Sequence, residues 1–247
     1  MQITAVIPAR YQSTRFPGKP LAEIQGKPMI QWVYERTSRA ELINQVIVAT
    51  DDERIKDAVQ HFGGIVRMTP EDCASGSDRA AIVAADLSAD IIINVQGDEP
   101  LVQPKAVDLL ARTLLQDEQA DMATLVYKAR SIQDLDNPNT VRVVFDHNQR
   151  ALYFTRSVIP YARDLERSEW LNVFPYYIQV GMYAYRRPFL LNYNNLQDSL
   201  LEKTEKLEQL RALENGYTIK IGIGDFKPVC VDIPEDLERI KKAIEQS

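Results

Sequence analysis

Short apolar runs separated by helical stretches constrain this chain more than any other feature. Ile3–Ile7 is the first run, Gln45–Thr50 (QVIVAT) the second and Ile91–Val95 (IIINV) another. Each is strand-length, and the last is apolar but for Asn94, as suits a strand covered on both faces. Between them lie segments with apolar residues at helical spacing. Met29 to about Ala40 carries Ile30, Val33 and Tyr34 on one face, and Asp52–Phe62 runs into Gly63-Gly64, a C-terminal stop. Ser77 to about Asp86 and Pro104 to about Gln116 complete the set, with a short strand at Ile65–Met68. Strand and helix in alternation predict a parallel sheet with helices on both faces.

The second half changes character. Met122–Tyr127, Val141–Phe145, Leu152–Thr155 and Ile178–Tyr185 read as strands with short connections, either antiparallel additions or a small second lobe. Leu200 to about Glu214 reads as one helix stopped by Asn215-Gly216. Thr218–Ile223 and Val229–Asp232 read as strands, and a last helix starts near Pro234. No repeat or long linker divides the 247 residues, so the expectation is one interleaved domain.

The net charge of −6 argues against general nucleic-acid or anionic-membrane binding. No apolar run approaches the roughly 20 residues that span a bilayer. Cys73 and Cys230 match no metal spacing, and free thiols in a reducing cytoplasm are the expectation. His61 falls in a helix and His147 in a turn, which speaks against histidine catalysis.

On this acidic chain one loop is locally basic. PARYQSTRFPGKP, from Pro8 to Pro20, places Arg10, Arg15 and Lys19 with Ser13 and Gly18 just after the first strand. Ligands of open α/β sheets bind at that end of the strands, and cations with free N–H groups there suit a polyphosphate. Alone, the loop reads equally as a solvated basic turn. It is neither a Walker A loop nor G-x-G-x-x-G, so side chains rather than a glycine cradle must do the binding. Asp98, in Q-G-D-E-P after the buried run Ile91–Val95, reads equally as a turn aspartate or as a carboxylate for Mg²⁺. Asp232 precedes Pro234. With Pro at the first helical position the N-cap falls on Ile233, which leaves Asp232 free for a metal. Ser75-Gly76-Ser77-Asp78-Arg79 reads first as an N-cap and second as a turn that approaches a planar base.

The order and spacing of these motifs resemble the cytidylyltransferases that activate 3-deoxy-ulosonic acids, the CMP-Kdo synthetase family. The resemblance runs the whole length. It includes IPARYQSTRFPGKPL, VIVATDDERI, MTPEDCASGSDR, NVQGDEP, NPNTVRVVFD, ALYFTRSVIP, VGMYAYR, TEKLEQLRALENG and VDIPEDLERI. It implies an α/β fold of the nucleotide-diphospho-sugar transferase type: a mostly parallel central sheet, and a smaller antiparallel lobe for sugar binding and dimerisation. Residues 1–120 would mainly bind CTP, 121–216 would mainly serve sugar and dimer, and 217–247 would return to the main sheet. The implied reaction is CTP plus 3-deoxy-manno-octulosonate (Kdo) giving CMP-Kdo and diphosphate, with Mg²⁺, in a cytoplasmic homodimer serving lipopolysaccharide or capsule synthesis.

Carried over by position, Pro8, Ala9, Arg10, Ser13, Arg15, Lys19, Ser75, Arg79 and Gln96 would bind CTP. Arg10, Lys19, Asp98 and Asp232 would be catalytic, the two aspartates holding the metal. Gln96, Arg156, Gln179, Tyr183, Glu208 and Gln209 would contact the sugar acid. Taken singly, Tyr183 reads as core, Arg156 as a surface cation and Glu208-Gln209 as a solvated helix face. Gln179 stands where the family has histidine; it can donate to a hydroxyl but cannot become a cation. An 8-amino-Kdo or a sialic acid therefore stays open as the alternative substrate. A metal-dependent glycosyltransferase would call for D-x-D where this chain has Q-G-D, and a non-catalytic CTP-binding protein is a further alternative.

Overall fold

Strand β1 (Ile3–Ala9) forms on the first apolar run. In the computed structural model, which describes residues 1–73 and 75–245, it lies inside a nine-stranded sheet. A two-strand ribbon of β2 (Glu23–Ile24) and β3 (Lys27–Pro28) leads into α1 (Met29–Thr37). Then come β4 (Gln45–Thr50), α2 (Glu53–His61), β5 (Val66–Met68), α3 (Gly76–Ala85), β6 (Ile91–Asn94) and α4 (Pro104–Leu115). The helix starts follow local chemistry. Asp52 caps α2 by accepting from the Arg54 N–H, Ser75 caps α3 by accepting from the Asp78 N–H, and Pro104 opens α4.

β1 pairs in parallel with β4 on one side and β6 on the other, and β5 extends the sheet beyond β4. The period of two sorts the side chains into two cores. Ile3, Ala5 and Ile7 pack with Ile30 and Val33 of α1, Ile55 of α2 and Leu110 of α4. Val6 and Ile92 face the other way, toward Ala80, Val83 and Ala84 of α3.

The later strands are β7 (Met122–Lys128), β8 (Arg142–Phe145), β9 (Ala151–Thr155), β10 (Tyr177–Arg186) and β11 (Ile219–Ile223). Among them stand α5 (Ile132–Asp136), α6 (Trp170–Val173), α7 (Arg187–Asn192), α8 (Leu200–Glu205) and α9 (Gln209–Glu214); α10 (Asp236–Glu245) follows β11. The sheet order is β11-β7-β10-β6-β1-β4-β5. β10 is antiparallel to both β6 and β7, so on this path it opposes the common direction. Met122–Tyr127 and Ile178–Tyr185 are therefore strands of the main sheet. The β8–β9 hairpin is the smaller antiparallel part, attached to the start of β10.

Three sequence expectations change. Leu200–Glu214 is two helices, because Lys206 takes a left-handed conformation (φ 57°) between α8 and α9. That break turns Gln209 into the core, where it is 1% exposed, rather than onto a solvated face. Val229–Asp232 is not a strand; the Val231 N–H bonds the Asp98 carbonyl at 2.9 Å. The last helix begins at Asp236 rather than Pro234. The Asp236 carboxylate accepts from the N–H groups of Asp232 and Ile233, so the helix entry is tied without the Asp232 side chain.

Candidate active site

A pocket of about 280 Å³ opens where β1 and β6 end. The loop after β1 wraps one side of it. Gly18, at φ 73°, bonds its N–H to the Tyr11 carbonyl at 2.8 Å, and a side chain there would press on the Tyr11 ring at 3.1 Å. Gly97 forms the opposite rim. A Cβ on it would stand 2.6 Å from the Pro8 carbonyl oxygen, so only glycine lets the end of β6 lie this close to the end of β1.

Two ion pairs cross the mouth. Lys19 Nζ is 2.7 Å from Asp98 Oδ2 and also donates to the Val231 carbonyl at 2.8 Å. Arg15 reaches Asp232 Oδ1 at 2.7 Å. The backbone bond from Val231 to Asp98 holds the two acidic segments side by side. The pocket thus brings together Pro8, Ala9, Arg10, Ser13, Arg15 and Lys19 from the first loop, and Gln96 and Asp98 after β6. Ser75 and Arg79 come from α3 and its cap, and Asp232 from the last turn.

Glu99 is 6% exposed, and burial, followed by the charge of Asp98, pushes its carboxyl up to about 8. At neutral pH it is mostly protonated and adds little negative charge beside Asp98. Arg79 is 4% exposed and bonds Thr69 and, at 3.0 Å, Asp51. Asp51 and Cys73 escaped the sequence reading. The strand-end position of Asp51, in ATDD, was the available signal for the first; a lone cysteine gives none.

The remaining sequence candidates are not among the residues lining this pocket. Tyr183 donates to Gln209 Oε1 at 3.0 Å, and Gln209 Nε2 donates to Gln179 Oε1 at 2.7 Å. Gln179 Nε2 donates to Thr124 Oγ1 at 3.2 Å. All four residues are buried. Glu208 is partly exposed as a residue, but its Oε2 is buried without a hydrogen-bond partner among the described residues. Burial raises its carboxyl to about 7, and the nearby Ser77 and Ser75 hydroxyls offset part of that rise. Arg156 follows β9 and donates to the carbonyls of Glu205, Pro138 and Asn139, while its own N–H is accepted by the Glu205 carboxylate. Gln96 links the two groups: it lines the pocket, and its Nε2 donates to the Gly181 carbonyl of β10 at 2.7 Å.

The cytidylyltransferase family model matches residues 4–221. The chain belongs to the cytidylyltransferase family. This cytidylyltransferase is 52% identical over 247 residues to the 3-deoxy-manno-octulosonate cytidylyltransferase of Pelobacter propionicus, covering 98% of this chain and 97% of the relative. It is 49% identical to the protein of the same name from Geotalea uraniireducens, with both chains fully covered. A solved CMP:2-keto-3-deoxy-manno-octonic acid synthetase complexed with CTP superposes with a TM-score of 0.93 at 43% identity, covering 100% of this chain and 99% of that one. The 4-diphosphocytidyl-2C-methyl-D-erythritol synthase of Anaerococcus prevotii, at 13% identity and a TM-score of 0.61, shares the fold alone. Among the described residues no helix of this cytidylyltransferase is long and apolar enough to cross a membrane.

Proposed function

We propose that this cytidylyltransferase activates Kdo, forming CMP-Kdo and diphosphate from CTP and the sugar acid. The observation that carries the reading is the pocket in which Arg10, Arg15 and Lys19 meet Asp98 and Asp232. The names of the relatives, and the CTP complexed with the solved synthetase, support the choice of nucleotide and sugar. The anomeric oxygen of the sugar bonds to the α-phosphorus of CTP as the bond to the diphosphate oxygen breaks, and the hydroxyl proton leaves to solvent. This chain's residues position and neutralise. Arg10, Arg15 and Lys19 would hold the phosphates and offset charge gathering on the departing diphosphate. Ser75 and Arg79 would bound the cytosine.

Asp98 and Asp232 fit Mg²⁺. They are hard oxygen donors from two segments of one pocket, and magnesium in phosphate sites takes one or two carboxylates beside phosphate oxygens. Bound there, the metal would supply charge neutralisation at the phosphates and would lower the pKa of a nearby hydroxyl.

Gln179 in place of the family histidine favours keeping 8-amino-Kdo as a second reading. Incubation with CTP, Mg²⁺ and one acid at a time decides. Diphosphate release is expected with Kdo at a kcat/KM at least about tenfold above that with 8-amino-Kdo or sialic acid, the discrimination that one well-placed polar contact supplies. A preference for 8-amino-Kdo transfers the assignment to it, and no release with any acid leaves only a CTP-binding protein.

The homodimer is proposed from the apolar groove beside the β8–β9 hairpin, lined by Val143, Phe145, Leu152, Phe174 and Tyr177, with Leu152 62% exposed. The full chain is expected to sediment as a dimer and Leu152→Lys as a monomer. A monomeric wild type removes this interface. The free thiols of Cys73 and Cys230 support a cytoplasmic location.

A further inference from the structure

β10 does not pair evenly with β7. Val180 opposes Leu125, but the next partner of Thr124 is Tyr183, so Gly181 and Met182 bulge out of the ladder. The bulge points the Gly181 carbonyl at Gln96 of the pocket and sets Tyr183 against Gln209. One side chain fills its inner side. Thr124 is fully buried, and its hydroxyl lies 3.1 Å from the Val180 carbonyl and 2.9 Å from the Met182 carbonyl.

A hydroxyl has a single proton. Facing two carbonyls that can only accept, Thr124 must donate to them, so toward Gln179 it can only accept. Gln179 therefore presents its NH₂ to Thr124 and its oxygen to Gln209. Gln209 then presents its NH₂ to Gln179 and its oxygen to Tyr183. Tyr183 in turn spends its proton on Gln209. The donors run in one direction from Tyr183 to the bulge, and neither amide can flip without placing oxygen against oxygen or NH₂ against NH₂.

We propose that Thr124 is a positioning residue that fixes the polarity of this chain and leaves the Tyr183 oxygen an acceptor for a hydroxyl of the sugar acid. The proposal rests on the functional reading that a sugar acid is the second substrate and that Tyr183 meets it. It also assigns a role to Gln179: an amide with one fixed orientation, whose hydrogen-bonding sense does not titrate as an imidazole's does.

The test is steady-state diphosphate release by the full chain with CTP, Mg²⁺ and Kdo, with each KM measured separately. Thr124→Val keeps the shape and removes the hydroxyl. It is expected to raise KM for the sugar acid about tenfold while KM for CTP stays within about twofold. Thr124→Ser is expected to restore the sugar KM to within about twofold of wild type. An unchanged sugar KM in Thr124→Val, or equal rises in both KM values, overturns the proposal. So does a folded Thr124→Ser with the defect expected of Val, which keeps the test decisive if the valine variant does not fold. A wild type that releases no diphosphate with any sugar acid fails the functional reading instead, and that outcome is distinct from these.

Discussion

Asp98→Asn is expected to lower kcat by about 10³-fold, roughly 4 kcal/mol of transition-state stabilisation, with little change in KM for CTP. The amide has the shape of the carboxylate and can still accept from Lys19 through its remaining oxygen, so the fold should cost about 1 kcal/mol at most. What it cannot supply is charge. Asp98 is one of the two residues proposed to hold magnesium, and a neutral ligand leaves the phosphates less neutralised when negative charge moves onto the departing diphosphate. The control is Asp232→Asn. Its ion pair with Arg15 is between side chains 49% and 66% exposed, so it contributes little to stability. Lost turnover there reads chemistry rather than folding. Melting temperatures alongside kcat and KM make the separation, and a kcat for Asp98→Asn within about tenfold of wild type would take Asp98 out of the mechanism.

The second large effect is structural. Arg142→Met is expected to destabilise the chain by about 3–5 kcal/mol, seen as a lower denaturant midpoint with an unchanged slope. Arg142 is 1% exposed, and its hydrogen bonds run to backbone carbonyls rather than to a carboxylate. Its guanidinium donates to the carbonyls of Thr140 at 2.8 Å, Arg156 at 2.6 Å, Asn137 at 2.9 Å and Leu135, with Asp134 at 3.5 Å. Burial lowers its pKa, the charge of Asp136 opposing that shift. Methionine fills similar volume but takes this donor from the Thr140, Arg156 and Leu135 carbonyls, at about 1 kcal/mol or more each, while Asn137 and Asp134 still accept from Thr140. Because one of them belongs to Arg156, the sugar-acid KM should rise as well. A stability loss below about 1 kcal/mol would mean that water takes over these bonds.

Arg142 also marks where sequence reasoning stops. In NTVRVVF the pattern gives a strand, and composition assigns a charged residue within it to solvent. Its burial is decided by the turn at 135–140, whose carbonyls converge on one point, and no local pattern encodes that. Apart from the short β2–β3 ribbon, which carries no apolar alternation of useful length, the strands and helices of the first 120 residues were legible because each is set by its own periodicity and caps. The placement of β10 between β6 and β7 was not. Its partners lie some 50 to 90 residues away in sequence, and alternation tells which face of a strand is buried, not which neighbour it pairs with. The helix expected over Leu200–Glu214 failed for a related reason: Lys206 is no helix breaker, and nothing in the local sequence signals its φ of 57°.

For the site, the basic loop and Asp98 were readable because chemistry at the ends of parallel strands is a rule of the fold; Asp232 follows no strand, and the strand expected before it is absent. The buried chain from Tyr183 to Thr124 was not. A threonine in MATLVYK looks like any strand residue, and its significance depends on a bulge in another strand.

The mouth of the pocket is crossed by contacts between segments far apart in sequence, Lys19 reaching the carbonyl of Val231 and Arg15 reaching Asp232. A nascent chain can complete its central strands long before residue 232 leaves the ribosome, but until then the cationic loop has no acidic counterpart from the far end. Assembly of the pocket therefore waits for the segment around residue 232, and a polypeptide released before it would carry the central strands with an incomplete pocket.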